Sequence, residues 1–164
     1  MTARRIAAAS GLALICVAPV AAQELTRHPL PDSDFPISMA VELPADAQLV
    51  YLSGTVPSVT DPEAEQGSRA SYGDTEAQTV SVLQTIEANL ARLDLAMSDV
   101  VKMTVFLTAT EDGGAMDFAG FMAGYTQFFG TEDQPNLPTR SVVEVAGLAN
   151  PAWLVEIEVV AVRP

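Results

Sequence analysis

The last stretch of the chain, Ala-Trp-Leu-Val-Glu-Ile-Glu-Val-Val-Ala-Val over residues 152–162, sets the tightest limit on the fold. Alternation along an extended strand puts Val155, Ile157, Val159 and Ala161 on one face. Leu154, Glu156, Glu158, Val160 and Val162 fall on the other. Both rows are largely apolar. Such a strand belongs inside a sheet that is covered on both faces.

The rest of the chain supplies the covering layer. Val82, Leu83, Ile86, Leu90 and Leu93 recur at helical spacing, and Thr75 with Gln78 has the spacing of a capping box. Phe118, Phe121, Met122, Tyr125, Phe128 and Phe129 mark a second amphipathic helix, with Gly130 as its stop. Strand patterns lie at 37–43, 49–57, 100–108 and 139–147, with Pro-Ala-Asp-Ala-Gln as a hairpin-type connection between the first two and residues 111–114 as a turn. The polar stretch 58–74 reads as a loop. The order is strands, helix, strand, helix, strands. It predicts an α+β sandwich with both helices on one face of a sheet. The opposite apolar face then calls for a further subunit, with Val142, Leu154 and Val160 among the residues needing cover.

The N-terminal segment stands apart. A basic start with Arg4 and Arg5, an apolar run from Ile6 and a small-residue site before Gln23 have the layout of a secretory signal peptide over residues 1–22. Residues 23–36 read as an extended polar arm and 37–164 as one domain. The expected location is periplasmic or secreted, with no membrane association after cleavage. The single cysteine, Cys16, lies in the leader, so the mature chain offers no disulfide, thiolate nucleophile or cysteine metal site. The one histidine, His28, reads as a solvated tail residue and gives a His-based triad or zinc site no material. The formal charge of −13 deepens to about −15 once Arg4 and Arg5 are removed. Such a surface repels nucleic acid and anionic lipid.

Against that acidity, Pro-Thr-Arg-Ser-Val-Val-Glu-Val over residues 138–145 opens a valine-rich strand with an arginine. Alternation groups Arg140 with Val142 and Glu144, and suggests that Arg140 and Glu156 share a half-buried face. Two readings follow. One is a structural ion pair, between strands or between subunits, of Arg140 with Glu144 or Glu156. The other is a carboxylate-binding fork with a glutamate acting on water. The pattern alone leaves both open. Bland readings suit Trp153 (packing), the second helix's aromatic residues (core) and the acidic stretch 61–65 (solvated).

Seven blocks, in order, carry a resemblance. They are Pro-Ile-Ser-Met-Ala-Val (36–41), Tyr-Leu-Ser-Gly-Thr-Val-Pro (51–57), the Gln-bearing helix 76–90, the strand 99–108, the helix 117–130, the arginine strand 138–145 and Val-Glu-Ile-Glu-Val-Val-Ala-Val (155–162). The ordered set resembles the Rid family of imine deaminases. The resemblance implies a chorismate-mutase-like α+β sandwich with one mixed sheet, a homotrimer with clefts between subunits, and no metal or organic cofactor. It implies hydrolysis of reactive 2-imino or enamine acids to 2-oxo acids and ammonia. Arg140 then holds the substrate carboxylate and Glu156 positions water. Ser53 and Gly54 supply backbone beside the pocket, and Ile37 and Met122 line it.

Four positions depart from the family pattern. Ile37 stands for a frequent tyrosine, Thr55 for a glutamine, Met122 for an asparagine and Val142 for a cysteine. They make the expected pocket more apolar. A non-catalytic module binding small carboxylates, or a holdase-like surface, is the alternative on the same scaffold.

Overall fold

The computed structural model describes residues 24–110 and 114–164. The signal peptide expected over residues 1–22 and most of the turn expected at 111–114 therefore lie outside the described residues. Two helices, α1 (Thr75–Ala91) and α2 (Phe118–Tyr125), pack on one face of a four-stranded sheet. Its strands are β3 (Leu49–Thr55), β4 (Val100–Leu107), β5 (Thr139–Glu144) and β6 (Val155–Val162), in the order β3-β6-β4-β5. β6 is antiparallel to both β3 and β4, whereas β4 and β5 are parallel. A parallel pair needs a crossover, and the segment carrying α2 supplies it.

The core forms where the sheet meets the helices. Met103, Val105 and Leu107 of β4 and Val155, Ile157, Val159 and Ala161 of β6 are buried against Val82, Leu83, Ile86, Leu90, Phe121 and Tyr125. Burying one such side chain stabilises the fold by about 1.5–3 kcal/mol. The helices approach closely at Gly124, where a Cβ would lie 2.7 Å from the Thr79 side chain. Any larger residue there would push α2 off α1.

Several local expectations are corrected. The arm is not merely extended: Thr26–Pro29 forms β1, which pairs antiparallel with β2 (Ser38–Glu42) as a separate two-stranded sheet. β2 and β3 therefore do not make a hairpin with each other. His28 is no free tail residue, since it lies in β1 with Nε2 3.4 Å from Glu42 Oε1. The α1 cap is Asp74, whose carboxylate accepts from Ala77 N–H, not Thr75. Gln78 is fully buried instead of closing a capping box. Its Oε1 accepts from Leu154 N–H, and its Nε2 donates to the carbonyls of Gly73 and Ala152. Leu93 lies beyond the end of α1 and is exposed. α2 stops at Tyr125, five residues short of Gly130, and a series of turns completes the segment. β6 starts at Val155, and Leu154 just before it is buried in the core.

The uncovered face of the sheet is partly apolar. Tyr51 is 74% exposed there, with its register partner Val160 on β6 and Val143 on β5. Val142 and Leu154, expected to need a partner's cover, are already packed within the protomer. Val160 remains on the open face.

Candidate functional site

Arg140 sits at the second position of β5, an edge strand, in register with Met103 of β4. Residues directly opposite in a ladder point to the same face. Met103 faces the helices, so Arg140 does too. Its guanidinium carbon lies 4.1 Å from the Tyr125 ring centroid, 5.1 Å from that of Phe121 and 5.4 Å from that of Phe35. Rings at these distances attract a cation through their negative faces. Nη2 donates to the Met122 sulfur at 3.2 Å. A thioether is a weak acceptor. Nη1 is buried and has no hydrogen-bond partner among the described residues.

Burial pulls the Arg140 guanidinium below its ordinary range, and the Tyr125 phenol opposes that pull. Burial also pushes the Tyr125 phenol up to about 12, against the favourable effect of Arg140 on its ionised form. Tyr125 is fixed by donating its hydroxyl to the Pro36 carbonyl at 2.9 Å. The segment before β2 is tied to β5 by Ser38 N–H to Pro138 O and by Ser38 Oγ to Leu137 O. Between these segments a cleft of about 300 Å³ opens, lined by Arg140, Ile37, Ser38, Met39, Leu30 and Lys102 among others.

Glu156 occupies a second locus. It lies opposite Phe106 on β4, one step out of phase with the core-facing residues Val155 and Ile157. Its side chain is thus on the open face of the sheet. Beside it the β3–β6 ladder slips: Leu52 pairs with Val159 and Thr55 with Ile157, so Ser53 and Gly54 together oppose Glu158 alone. This two-against-one count is a β-bulge, which bends the strand locally. The Glu156 carboxylate lies directly over Gly54, where a Cβ would collide with Oε1. A side chain at this position would force the end of Glu156 to move. Thr55 turns its hydroxyl back to the Ser53 carbonyl at 3.4 Å.

The expected site residues therefore fall into two groups. Arg140, Ile37 and Met122 gather on the helix side at the β5 edge. Glu156, Ser53 and Gly54 gather on the open side near the β3 edge. The expectation that Arg140 and Glu156 share a face of one protomer is overturned. Within the protomer the inter-strand ion pair is absent as well: among the described residues neither Glu144 nor Glu156 approaches Arg140 within salt-bridge distance. Glu144 instead accepts from Met116 N–H at 3.0 Å. Three residues of the site, Phe35, Phe121 and Tyr125, escaped the sequence reading. The sequence reading places Phe121 and Tyr125 in the core, and both do pack in it. Their i, i+4 spacing was the available signal that both rings lie on one stripe, but nothing in it named Arg140 as their neighbour.

Residues 31–163 match the family described as Endoribonuclease L-PSP. The chain is 37% identical over 128 residues to a RutC family protein of Haemophilus influenzae, covering 78% of this chain and 87% of that one. It is 37% identical over 115 residues to a 2-iminobutanoate/2-iminopropanoate deaminase of Salmonella typhimurium, covering 70% and 80% of the two chains. Among solved structures it resembles E. coli TdcF with bound serine, at a TM-score of 0.56 and 31% identity, covering 85% and 98%.

Proposed function

The chain belongs to the endoribonuclease L-PSP family, the grouping that includes the Rid proteins, and from that premise we propose that it hydrolyses 2-imino acids to 2-oxo acids and ammonia. The observation that carries the reading is the open Nη1 of Arg140. A buried donor without a partner costs about 1–3 kcal/mol, and more when it is charged. A substrate carboxylate would relieve that cost. One of its oxygens would take Nη1 and the other would displace the weakly held Met122 sulfur from Nη2. The aromatic rings hold the guanidinium by its face, and a carboxylate would pair with its N–H edge bidentately. Serine, the ligand of the E. coli TdcF structure, carries the same α-carboxylate.

The second part of the proposal concerns assembly. Arg140 and Glu156 point to opposite faces and lie on strands separated by β4, so one protomer cannot apply both to one substrate. A homotrimer resolves this if the open face of one subunit, with Glu156, Ser53 and Gly54, closes over the Arg140 cleft of its neighbour. The apolar Tyr51 and Val160 on that face favour such cover.

In the closed site water adds to the carbon of the protonated C=N bond. The Glu156 carboxylate accepts a proton from that water as the C–O bond forms. Glu156 returns that proton to the nitrogen of the resulting carbinolamine, and the C–N bond breaks; ammonia leaves as the hydroxyl gives its proton to the Glu156 carboxylate and the carbonyl forms. Orientation by the arginine supplies the geometry that makes the attack effectively unimolecular. RNA cleavage, suggested by the family's description, is disfavoured by a formal charge of −13, which repels a polyanion. We also propose export through the 1–22 leader. N-terminal sequencing of protein from the host should begin at or near Gln23, and an intact Met1 on cytoplasmic protein would reject export.

The activity test couples an amino-acid oxidase to the protein and follows imine decay. Wild type should exceed the spontaneous rate. Arg140→Ala and Glu156→Gln should each lose most of that excess. Mixing the two variants under conditions that exchange subunits should restore part of it, because some sites then receive both residues. No recovery, with exchange verified, would reject the shared site. Binding of 2-oxo acids without turnover would favour the non-catalytic carboxylate-binding alternative.

A further inference from the structure

A carboxylate can pair with Arg140 only if it reaches the N–H edge, and here that edge is closed. Nη1 is shut off from solvent and has no hydrogen-bond partner among the described residues, while Nη2 is engaged by the Met122 sulfur. The cleft that runs past Arg140 therefore stops short of Nη1. Some neighbour of the guanidinium has to move before a ligand can bind.

Three rings lie against the guanidinium, and they are not held equally. Phe121 and Tyr125 are both 0% exposed and belong to the core between the helices and the sheet. Displacing either would open a void there, which is costly. Phe35 is different. Its centroid lies 5.4 Å from the guanidinium carbon, yet the residue is 40% exposed. Among the described residues the ring it stacks on is Phe118, 6.5 Å away and itself 38% exposed. The backbone beneath Phe35 is tied down. Ser33 Oγ accepts from Phe35 N–H at 3.2 Å, and the Phe35 carbonyl accepts from Ile37 N–H at 2.7 Å. The Pro36 carbonyl then accepts from the Tyr125 hydroxyl. These bonds fix the turn and leave rotation of the Phe35 side chain as the motion that disturbs least. Exposed side chains change rotamer in picoseconds to nanoseconds, so such a motion does not limit binding.

We infer that Phe35 controls access to Arg140: its ring swings aside to admit a small carboxylate and returns over the ion pair. The inference rests on the carboxylate-binding reading above. With the ring in place, the cation has a third aromatic face. With the ring displaced, that contact is lost and the carboxylate supplies a stronger, charge-assisted one. The returning ring keeps water from the pair, which strengthens the attraction between the charges. Phe35 is thus a positioning residue that acts through Arg140.

The test reads the accessibility of Arg140 directly and needs no turnover. The full mature chain is treated with 2,3-butanedione in borate, a small reagent specific for guanidinium groups, and peptide mass spectrometry follows each arginine. In wild type Arg140 should react more slowly than the exposed Arg92. Phe35→Ala should speed the reaction of Arg140 roughly two- to fivefold, the factor by which loss of a cation–ring contact at an exposed position enlarges the open fraction. Arg27, which keeps its three carbonyl bonds, should react at its wild-type rate, and this separates an opened gate from a loosened fold. Phe35→Tyr keeps the ring and should restore slow reaction. Pyruvate should protect Arg140 in wild type and in Phe35→Ala. Equal rates at Arg140 in these two proteins, with pyruvate protecting, would overturn the gate and leave carboxylate binding standing. If Arg27 also reacts faster in Phe35→Ala, then Phe118→Ala, which removes only the stacking partner, decides: faster reaction of Arg140 alone supports the gate, and an unchanged rate overturns it. No protection by pyruvate in either protein would reject the carboxylate reading, and the inference with it.

Discussion

Two arginines in this acidic chain are withdrawn from water, and their surroundings differ in one respect. Arg27, on β1, donates to the carbonyls of Val100 and Leu137 from Nη1, at 3.0 and 2.7 Å, and to that of Ser98 from Nη2, at 2.8 Å. Arg140, on β5, donates to a sulfur from Nη2 and leaves Nη1 open. Burial lowers the pKa of both groups, with Asp99 opposing it at Arg27 and Tyr125 at Arg140. Burial and a depressed pKa therefore do not separate the two. What separates them is saturation. Arg27 binds three backbone carbonyls, sharing that of Leu137 with Ser38 Oγ, and so fastens the arm to the segments at the sheet's edge. Arg140 leaves Nη1 unpaired and lies against the faces of three aromatic rings.

The sharpest way to break this contrast is to remove each cation in turn. Arg140→Ala should lose roughly 2–4 kcal/mol of binding to a small carboxylate, the scale of a desolvated charge-assisted pair. Isothermal titration with a 2-oxo acid measures it. Unfolding by urea should show little accompanying loss of stability, since no protein acceptor is orphaned.

Arg27→Ala should do the reverse. Loss of its carbonyl bonds should lower unfolding free energy by roughly 2 kcal/mol, within the range for hydrogen bonds to a charged group. Carboxylate affinity of the folded protein should stay near wild type. A loss of affinity as large as that of Arg140→Ala would erase the distinction between anchor and site.

Tyr125→Phe sharpens the comparison further. It keeps the ring under Arg140 and removes the hydroxyl bond to Pro36. The expected cost is about 1 kcal/mol of stability, with carboxylate affinity largely retained. A collapse in affinity would mean that the phenol, not the ring face, holds the guanidinium in place.

The smallest effect is on the pH dependence of unfolding. The Tyr125 phenol titrates near 12 in the folded chain against 10.0 for the free group. Its folded pKa is raised, so its contribution to stability is present below pH 10 and is lost as the pH rises through 12. Wild type should therefore lose stability faster than Tyr125→Phe across that interval. Parallel curves for the two proteins would show that the phenol is not shielded as described.

Much of the fold could be read from the residues. Period-two and period-3.6 patterns located the four sheet strands and both helices, because burial of one face imposes those periods whatever the partner. Element ends were less legible. The Asp74 cap lost out to Thr75 in the reading because both residue types cap helices, and only the backbone tells which is not helical. β1 was missed because Thr-Arg-His-Pro has no apolar alternation; pairing with β2 and the Arg27 bonds hold it.

For the candidate site, the sequence singled out the residues proposed to carry the chemistry: Arg140 in a chain poor in cations, and Glu156, one of two glutamates in a strand otherwise apolar. It also determined the parity within each strand, grouping Arg140 with Val142 and Glu144, and setting Glu156 out of phase with Ile157. It could not determine the parity between strands. That depends on register, where a shift of one residue transfers a whole row of side chains to the other face. β4 fixes it here, pairing Met103 with Arg140 and Phe106 with Glu156, an odd number of residues apart along one strand. Only the tertiary structure thus decided that the two groups face opposite ways. Only packing brought Phe35, Phe121 and Tyr125 around the guanidinium, because contacts between residues distant in the chain leave no period in it.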